Sequence, residues 1–155
     1  MKTEENLEEL LPHAKPMILL SGCEPERSET EAVAWVDVSP ASPFYDAAAG
    51  GVPGCVAIEY MAQAMAVLVG FMRRRRGGAP KMGFVLGTRR MSVRIPVFRS
   101  GERYRVKAEC EYHDESFGSF ACCVEDVAGA TVASARLTAF QPRDGISEEM
   151  QEEFQ

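Results

Sequence analysis

Apolar residues follow two patterns along this chain, and the change between them marks its parts. From Pro53 to Phe71 they lie all around a would-be helix instead of along one stripe, as in a helix enclosed by other elements. Pro53 suits a helix start, where a missing amide hydrogen costs nothing, and Gly77, Gly78 and Pro80 end the run. Elsewhere the period is two. Over 29–38, Ala32, Ala34, Val36 and Val38 alternate with Glu31, Val33, Trp35 and Asp37, which predicts a strand with one face turned inward. A shorter strand is predicted over 17–23. Four more runs, 82–96, 102–114, 117–126 and 131–140, alternate or are rich in β-branched and aromatic residues. Ser100-Gly101, Glu115-Ser116 and Ala128-Gly129-Ala130 separate them, predicting an antiparallel meander. An acidic amphipathic turn over 4–11 comes first, 39–52 reads as a loop because it holds Pro40, Pro43, Gly50 and Gly51, and 147–155 reads as a frayed acidic tail or a short helix.

One helix among six strands is an α+β arrangement in which the sheet must curl around the helix to bury it. A single sheet covers one side. Two sheets joined edge to edge across a two-fold axis would cover the rest, so a homodimer or higher oligomer is expected. The 155 residues fit one domain with an acidic tail from about residue 144. A composition of 46% apolar and 26% charged residues suits a packed core and not a disordered chain.

Charge narrows the function. A net charge of -6 argues against general nucleic-acid binding, even though Arg73, Arg74, Arg75 and Arg76 form a cationic block. That block reads as a solvated helix end, where cations suit the dipole, or as a contact for an acidic protein or a phosphate. The five cysteines are odd in number and form no C-x-x-C pair, so neither a disulfide framework nor a metal site is expected. Reduced thiols and an acidic first segment without a signal-peptide core point to the cytoplasm. Gly54 to Met72 is apolar enough to be mistaken for a membrane span. Glu59 and Gln63 within it make that reading poor, since a lipid-exposed carboxylate would cost several kcal/mol.

Three stretches resemble the 3-hydroxyacyl acyl-carrier-protein dehydratases of fatty-acid and polyene synthesis, a family with the hot-dog fold. Leu10-Leu11-Pro12-His13-Ala14-Lys15-Pro16-Met17 is similar to the family's Leu-Pro-His-x-x-Pro signature. Pro53-Gly54-Cys55-Val56-Ala57-Ile58-Glu59-Tyr60-Met61-Ala62-Gln63 is similar to the opening of its central helix, and Gly83-Phe84-Val85-Leu86-Gly87 with Pro96 and Gly101 to its third strand and the following turn. The middle stretch is the specific one, because its acidic residue and Met-Ala-Gln at fixed distances from Pro-Gly are rarely met by chance. One departure stands out. The family's catalytic histidine, eight residues before that proline, falls on Tyr45 in Pro43-Phe44-Tyr45-Asp46-Ala47.

Dehydration of a 3-hydroxyacyl thioester requires removal of the C2 proton, polarisation of the carbonyl, and protonation of the departing hydroxyl. Unpaired amides at Gly54 and Cys55 would suit the second task at a helix N-terminus; the plainer reading of Pro53-Gly54 is a tight helix entry. Glu59 is the first candidate for proton transfer, since burial in an apolar helix would raise a carboxyl towards a useful range. Gln63, one turn on, would orient it, although a buried Glu-Gln pair with no catalytic duty satisfies the same pattern. His13 and His113 are the two histidines. His13 is the better catalytic candidate, with packing or hydrogen bonding as its alternative role, and His113, beside Asp114 and Glu115, reads as solvated. Tyr45 and Asp46 are candidates by register alone.

The resemblance therefore implies a dehydratase with Glu59 and His13 as catalytic residues and Gly54, Cys55, Gln63 and Tyr45 around the substrate. It needs no cofactor of its own, the acyl group being carried on phosphopantetheine of acyl carrier protein or on coenzyme A. Two alternatives share the fold: an acyl thioesterase in which Glu59 activates water, and a non-catalytic subunit that partners an active dehydratase.

Overall fold

The computed structural model describes residues 5–12, 17–78, 84–114 and 116–140. A one-turn helix, α1 (Leu7–Leu10), starts at Asn6, whose side-chain oxygen accepts from the Glu8 amide. Strands β1 (Gly22–Cys23), β2 (Glu31–Asp37) and β3 (Gly51–Pro53) follow, and a single 3-10 turn (Gly54–Val56) leads into α2 (Ala57–Arg75). The chain then forms β4 (Phe84–Val93), β5 (Val97–Arg99), β6 (Arg103–His113), β7 (Phe117–Glu125) and β8 (Thr131–Phe140).

Six strands make one antiparallel sheet in the order β1-β2-β6-β7-β8-β4, while β3 and β5 pair apart from it. Alternation sets the inner face. Ala34 and Val36 of β2 stand opposite Val106 and Tyr104 of β6, all four buried, and Phe120, Cys122 and Val124 continue that face on β7. The sheet wraps α2, which buries Tyr60, Met61, Ala64, Val67, Leu68 and Phe71 against it. Enclosure of each large apolar side chain contributes about 1.5–3 kcal/mol, so the helix that looked apolar all round is the centre of the core. Gly54–Arg75 has the length and apolar character of a membrane span, yet 56% of its most apolar stretch is buried inside the molecule. A long helix wrapped by an antiparallel sheet is the hot-dog fold.

Four boundaries differ from the sequence expectation. The helix, expected from Pro53, begins as a 3-10 turn at Gly54 and is α-helical only from Ala57, while its end at the arginines just before Gly77 is as expected. The predicted strand over 17–23 shrinks to Gly22–Cys23, since a side chain of α2 takes the hydrogen bonds a neighbouring strand would have made. The 39–52 loop ends in β3, paired with β5 through Gly51↔Arg99 and Pro53↔Val97. The expected four-strand meander holds for β6, β7 and β8, whereas the 82–96 run is a strand only from Phe84 to Val93, β5 follows after Pro96, and β4 sits at the far edge beside β8. Position in a sheet depends on long-range pairing, which local alternation does not encode. The tail expected at 147–155 lies outside the described residues.

The segment before β1 is tied down along α2. At Gly70 an added Cβ would lie 2.4 Å from the Leu10 carbonyl oxygen, so glycine lets the end of α1 rest directly on the helix backbone. Further along, Arg74 grips Glu5 through two hydrogen bonds of 2.9 and 3.2 Å, and Arg75 pairs with Glu26 and donates to the Ser28 carbonyl.

Candidate active site at the start of the core helix

Gln63 is the buried polar side chain among the described residues, at 0% exposure, and its amide is fully engaged. Its Oε1 accepts from the Leu19 amide at 2.9 Å, and its Nε2 donates to the Met17 carbonyl at 2.7 Å and to Glu59 Oε1 at 3.2 Å. One side chain thus joins the N-terminal segment to the helix and holds the carboxylate one turn before it. A buried amide must be satisfied in this way or cost about 1–3 kcal/mol per orphaned group. Glu59 is half-buried and not enclosed as expected, so its carboxylate sits at the rim of the core.

The helix start differs from the expectation of two open amides. The Gly54 amide donates to the Pro96 carbonyl at 2.8 Å, so it does not serve an oxyanion. Its glycine is required by backbone approach, since a Cβ there would lie 2.3 Å from the Ile95 carbonyl oxygen and 3.1 Å from Val93 Cγ1. Cys55 follows, exposed, and its amide precedes the first intrahelical hydrogen bond of the turn. One donor, not two, remains at the mouth of the helix.

Beneath this turn lies an aromatic stack that the sequence pattern did not reveal. Tyr60 meets Phe98 edge-on at 5.2 Å, and Phe98 meets Tyr104 at 4.9 Å. Burial, with Tyr104 nearby, pushes the Tyr60 phenol up to about 12, so it stays neutral. The Tyr104 hydroxyl accepts from the Arg99 amide and donates to Glu102. These rings come from three elements, and only their chain-distant pairing would have signalled the cluster.

The remaining candidates fall in different places. Tyr45 is half-buried in the loop before β3, directly after Phe44, which is exposed and has φ 65°. Asp46 is committed to its own turn, its carboxylate accepting from the Ala48 and Ala49 amides at 3.0 and 3.4 Å. His113 is exposed at the end of β6, nine residues and hence about 30 Å along the strand from Tyr104. His13 lies outside the described residues. Cys23 and Cys122 are buried thiols, each pushed up to about 12 by desolvation and unreactive as nucleophiles. Among the described residues no three His, Cys, Asp or Glu side chains gather as metal ligands would. The arginine block expected to be solvated or to dock a partner is partly spent on Glu5 and Glu26.

The model of the ApeP-like family, described as ApeP dehydratase, matches residues 5–152. A chain of the dehydratase heterocomplex ApeI:P from Xenorhabdus doucetiae is 32% identical, with a TM-score of 0.84, over 95% of this chain and 96% of that one. A hypothetical thioesterase from Streptococcus pneumoniae TIGR4, solved with coenzyme A, is 17% identical with a TM-score of 0.59 over 76% of this chain and 82% of that one. The protein smu.793 from Streptococcus mutans UA159, solved bound to acetyl CoA, is 12% identical with a TM-score of 0.59, over 83% and 94% of the two chains. The last two share the fold alone. No curated protein matches the chain.

Proposed function

Because this chain belongs to the ApeP-like dehydratase family, we propose that it serves the elimination of water from a 3-hydroxyacyl thioester carried on acyl carrier protein or coenzyme A. The C2 proton and the C3 hydroxyl leave together as water, and a 2-enoyl thioester remains. The observation that carries this reading is the Glu59 carboxylate held by Gln63 at the first turn of the core helix. A carboxylate placed this way can take the C2 proton or return one to the departing hydroxyl, while the Cys55 amide faces the thioester oxygen as negative charge grows there.

Elimination needs two proton transfers, and Glu59 supplies one group. Tyr45 stands in the register of the family's histidine, so the second group is His13 or a residue of a partner subunit. This favours a second reading, a subunit that works only when paired with an active hot-dog partner, and the related ApeI:P chain being part of a heterocomplex supports it.

Incubation of the purified chain with a 3-hydroxyacyl carrier substrate, followed by mass spectrometry of the thioester, separates the readings. The enoyl product is expected, with Glu59→Gln lowering the rate at least about 100-fold, the usual worth of a positioned acid or base. Unchanged turnover in that variant removes Glu59 from its role. Turnover only after a second subunit is added selects the paired reading, and release of thiol without enoyl product selects a thioesterase.

A further inference from the structure

Two limbs of the N-terminal segment lie along α2 and meet at its arginine end. There the Glu5 amide donates to the Cys23 carbonyl at 3.4 Å, Arg74 holds the Glu5 carboxylate, and Arg75 holds Glu26 and the Ser28 carbonyl. At the other end of the strap so formed, Gln63 binds the Met17 carbonyl and the Leu19 amide. Gln63 stands eleven residues before Arg74 on the helix, about 16 Å away, and it also holds Glu59. One strap thus joins the arginine clasp to the candidate catalytic carboxylate.

Its limbs are fastened differently. The outgoing limb is bound to the β2 main chain, the Ser21 amide donating to the Trp35 carbonyl and the Glu24 amide to the Val33 carbonyl, both at 2.8 Å. The incoming limb, 5–12, makes no main-chain bond that short to the sheet among the described residues. It is held by the buried Leu10 and Leu11, by the seat of Leu10 on Gly70, and by Arg74. Apolar contact has no direction, so leucines alone fix how deep the limb sits and leave it able to slide along the helix. The two directional hydrogen bonds from Arg74 to Glu5 fix its register. Both partners are themselves constrained: the Glu5 side chain is 8% exposed, and the guanidinium rests over the Phe71 ring at 5.1 Å. Five residues beyond Pro12, the same chain presents the Met17 carbonyl to Gln63 Nε2, the nitrogen that also donates to Glu59.

We infer that Arg74 is a positioning residue for Glu59, acting through the N-terminal strap and Gln63. This deepens the dehydration reading above and rests on it. A clasp of purely local importance would change stability and leave Gln63 and the proton transfer untouched.

The test reads the far end of the strap. Arg74→Ala, Glu5→Ala, the double variant and the charge swap R74E/E5R are compared with wild type by hydrogen exchange at the Leu19 amide, by the Glu59 carboxyl carbon resonance, and by turnover of a 3-hydroxyacyl carrier substrate. Circular dichroism confirms that each chain is folded, and Arg74→Lys, which keeps the charge but loses the two-pronged geometry, replaces the alanine variant if that one is not. Arg74→Ala is expected to speed Leu19 exchange about ten-fold, to move the Glu59 resonance, and to lower kcat about five-fold with KM little changed, the range of a coupling through packed elements. The double variant should be no worse than either single one, and the swap should recover much of the loss. Arg136→Ala, which breaks an exposed pair with Glu111 on the sheet, should change none of the three. Leu19 exchange unchanged in Arg74→Ala overturns the inference, as does faster exchange with an unmoved Glu59 resonance and full kcat. A rise in KM alone, or a swap that recovers nothing, overturns it as well. A wild-type chain that does not dehydrate removes the proposed function instead, and Leu19 exchange with the Glu59 resonance then decides whether the clasp positions the carboxylate.

Discussion

The two ends of α2 are built on opposite principles. At its start, Gly54 is pressed against backbone, Gln63 has no exposure, and polar groups are held by short hydrogen bonds inside the core. At its end, the more exposed Arg74 and Arg75 reach to Glu5, whose side chain is 8% exposed, and to the partly exposed Glu26. The sequence left both ends open, with oxyanion donors or a tight helix entry at the start and solvated or docking cations at the end, and the structure selects the tight entry. Tight backbone approach removes tolerance and fixes a carboxylate in place, whereas flexible arginine side chains on partly buried carboxylates give an adjustable fastening.

That contrast can be broken most severely at Gly54. Gly54→Ala forces a methyl group to 2.3 Å from the Ile95 carbonyl oxygen, and a loss of about 3 kcal/mol or failure to fold is expected in urea denaturation. Gln63→Leu comes next. It keeps the volume but orphans the Leu19 amide and the Met17 carbonyl, costing about 2–4 kcal/mol, and hydrogen exchange at Leu19 should lose its protection. Arg74→Ala at the other end removes two charge-assisted hydrogen bonds to a Glu5 side chain that is 8% exposed and should cost about 1–2 kcal/mol, with the difference from wild type shrinking in high salt. The gentlest probe is alkylation at mildly alkaline pH. Cys55 at the helix start is exposed and should react in the native protein, whereas Cys23, beside Glu5 and near the arginine end, is pushed up to about 12 by burial and should react only after unfolding.

Much of the architecture was legible because it is written in short-range periods. Alternation at Ala32, Ala34 and Val36, and apolar residues on every side of α2, each state how much of an element is enclosed. The place of β4 was not legible, since pairing with β8 instead of β6 is decided across nearly fifty residues. The Glu59-Gln63 pair could be read from its one-turn spacing, and the structure bears out that contact. The partners that give it meaning could not, because Met17 and Leu19 contribute main-chain groups that any residue possesses. Likewise the role of Gly54 lies in what it touches at Ile95 and Pro96, which no local pattern announces. His13 stands outside the described residues.

The three-way engagement of Gln63 restricts how this chain can drift. Asparagine is a carbon too short to span both the main-chain groups and the carboxylate, glutamate repels its neighbour and loses a donor, and methionine offers neither atom type. Any lineage keeping the N-terminal segment against the helix must therefore keep an amide of this length at position 63. A chain in which Glu59 moved no proton would still need this glutamine, because the Met17 and Leu19 main-chain groups depend on it.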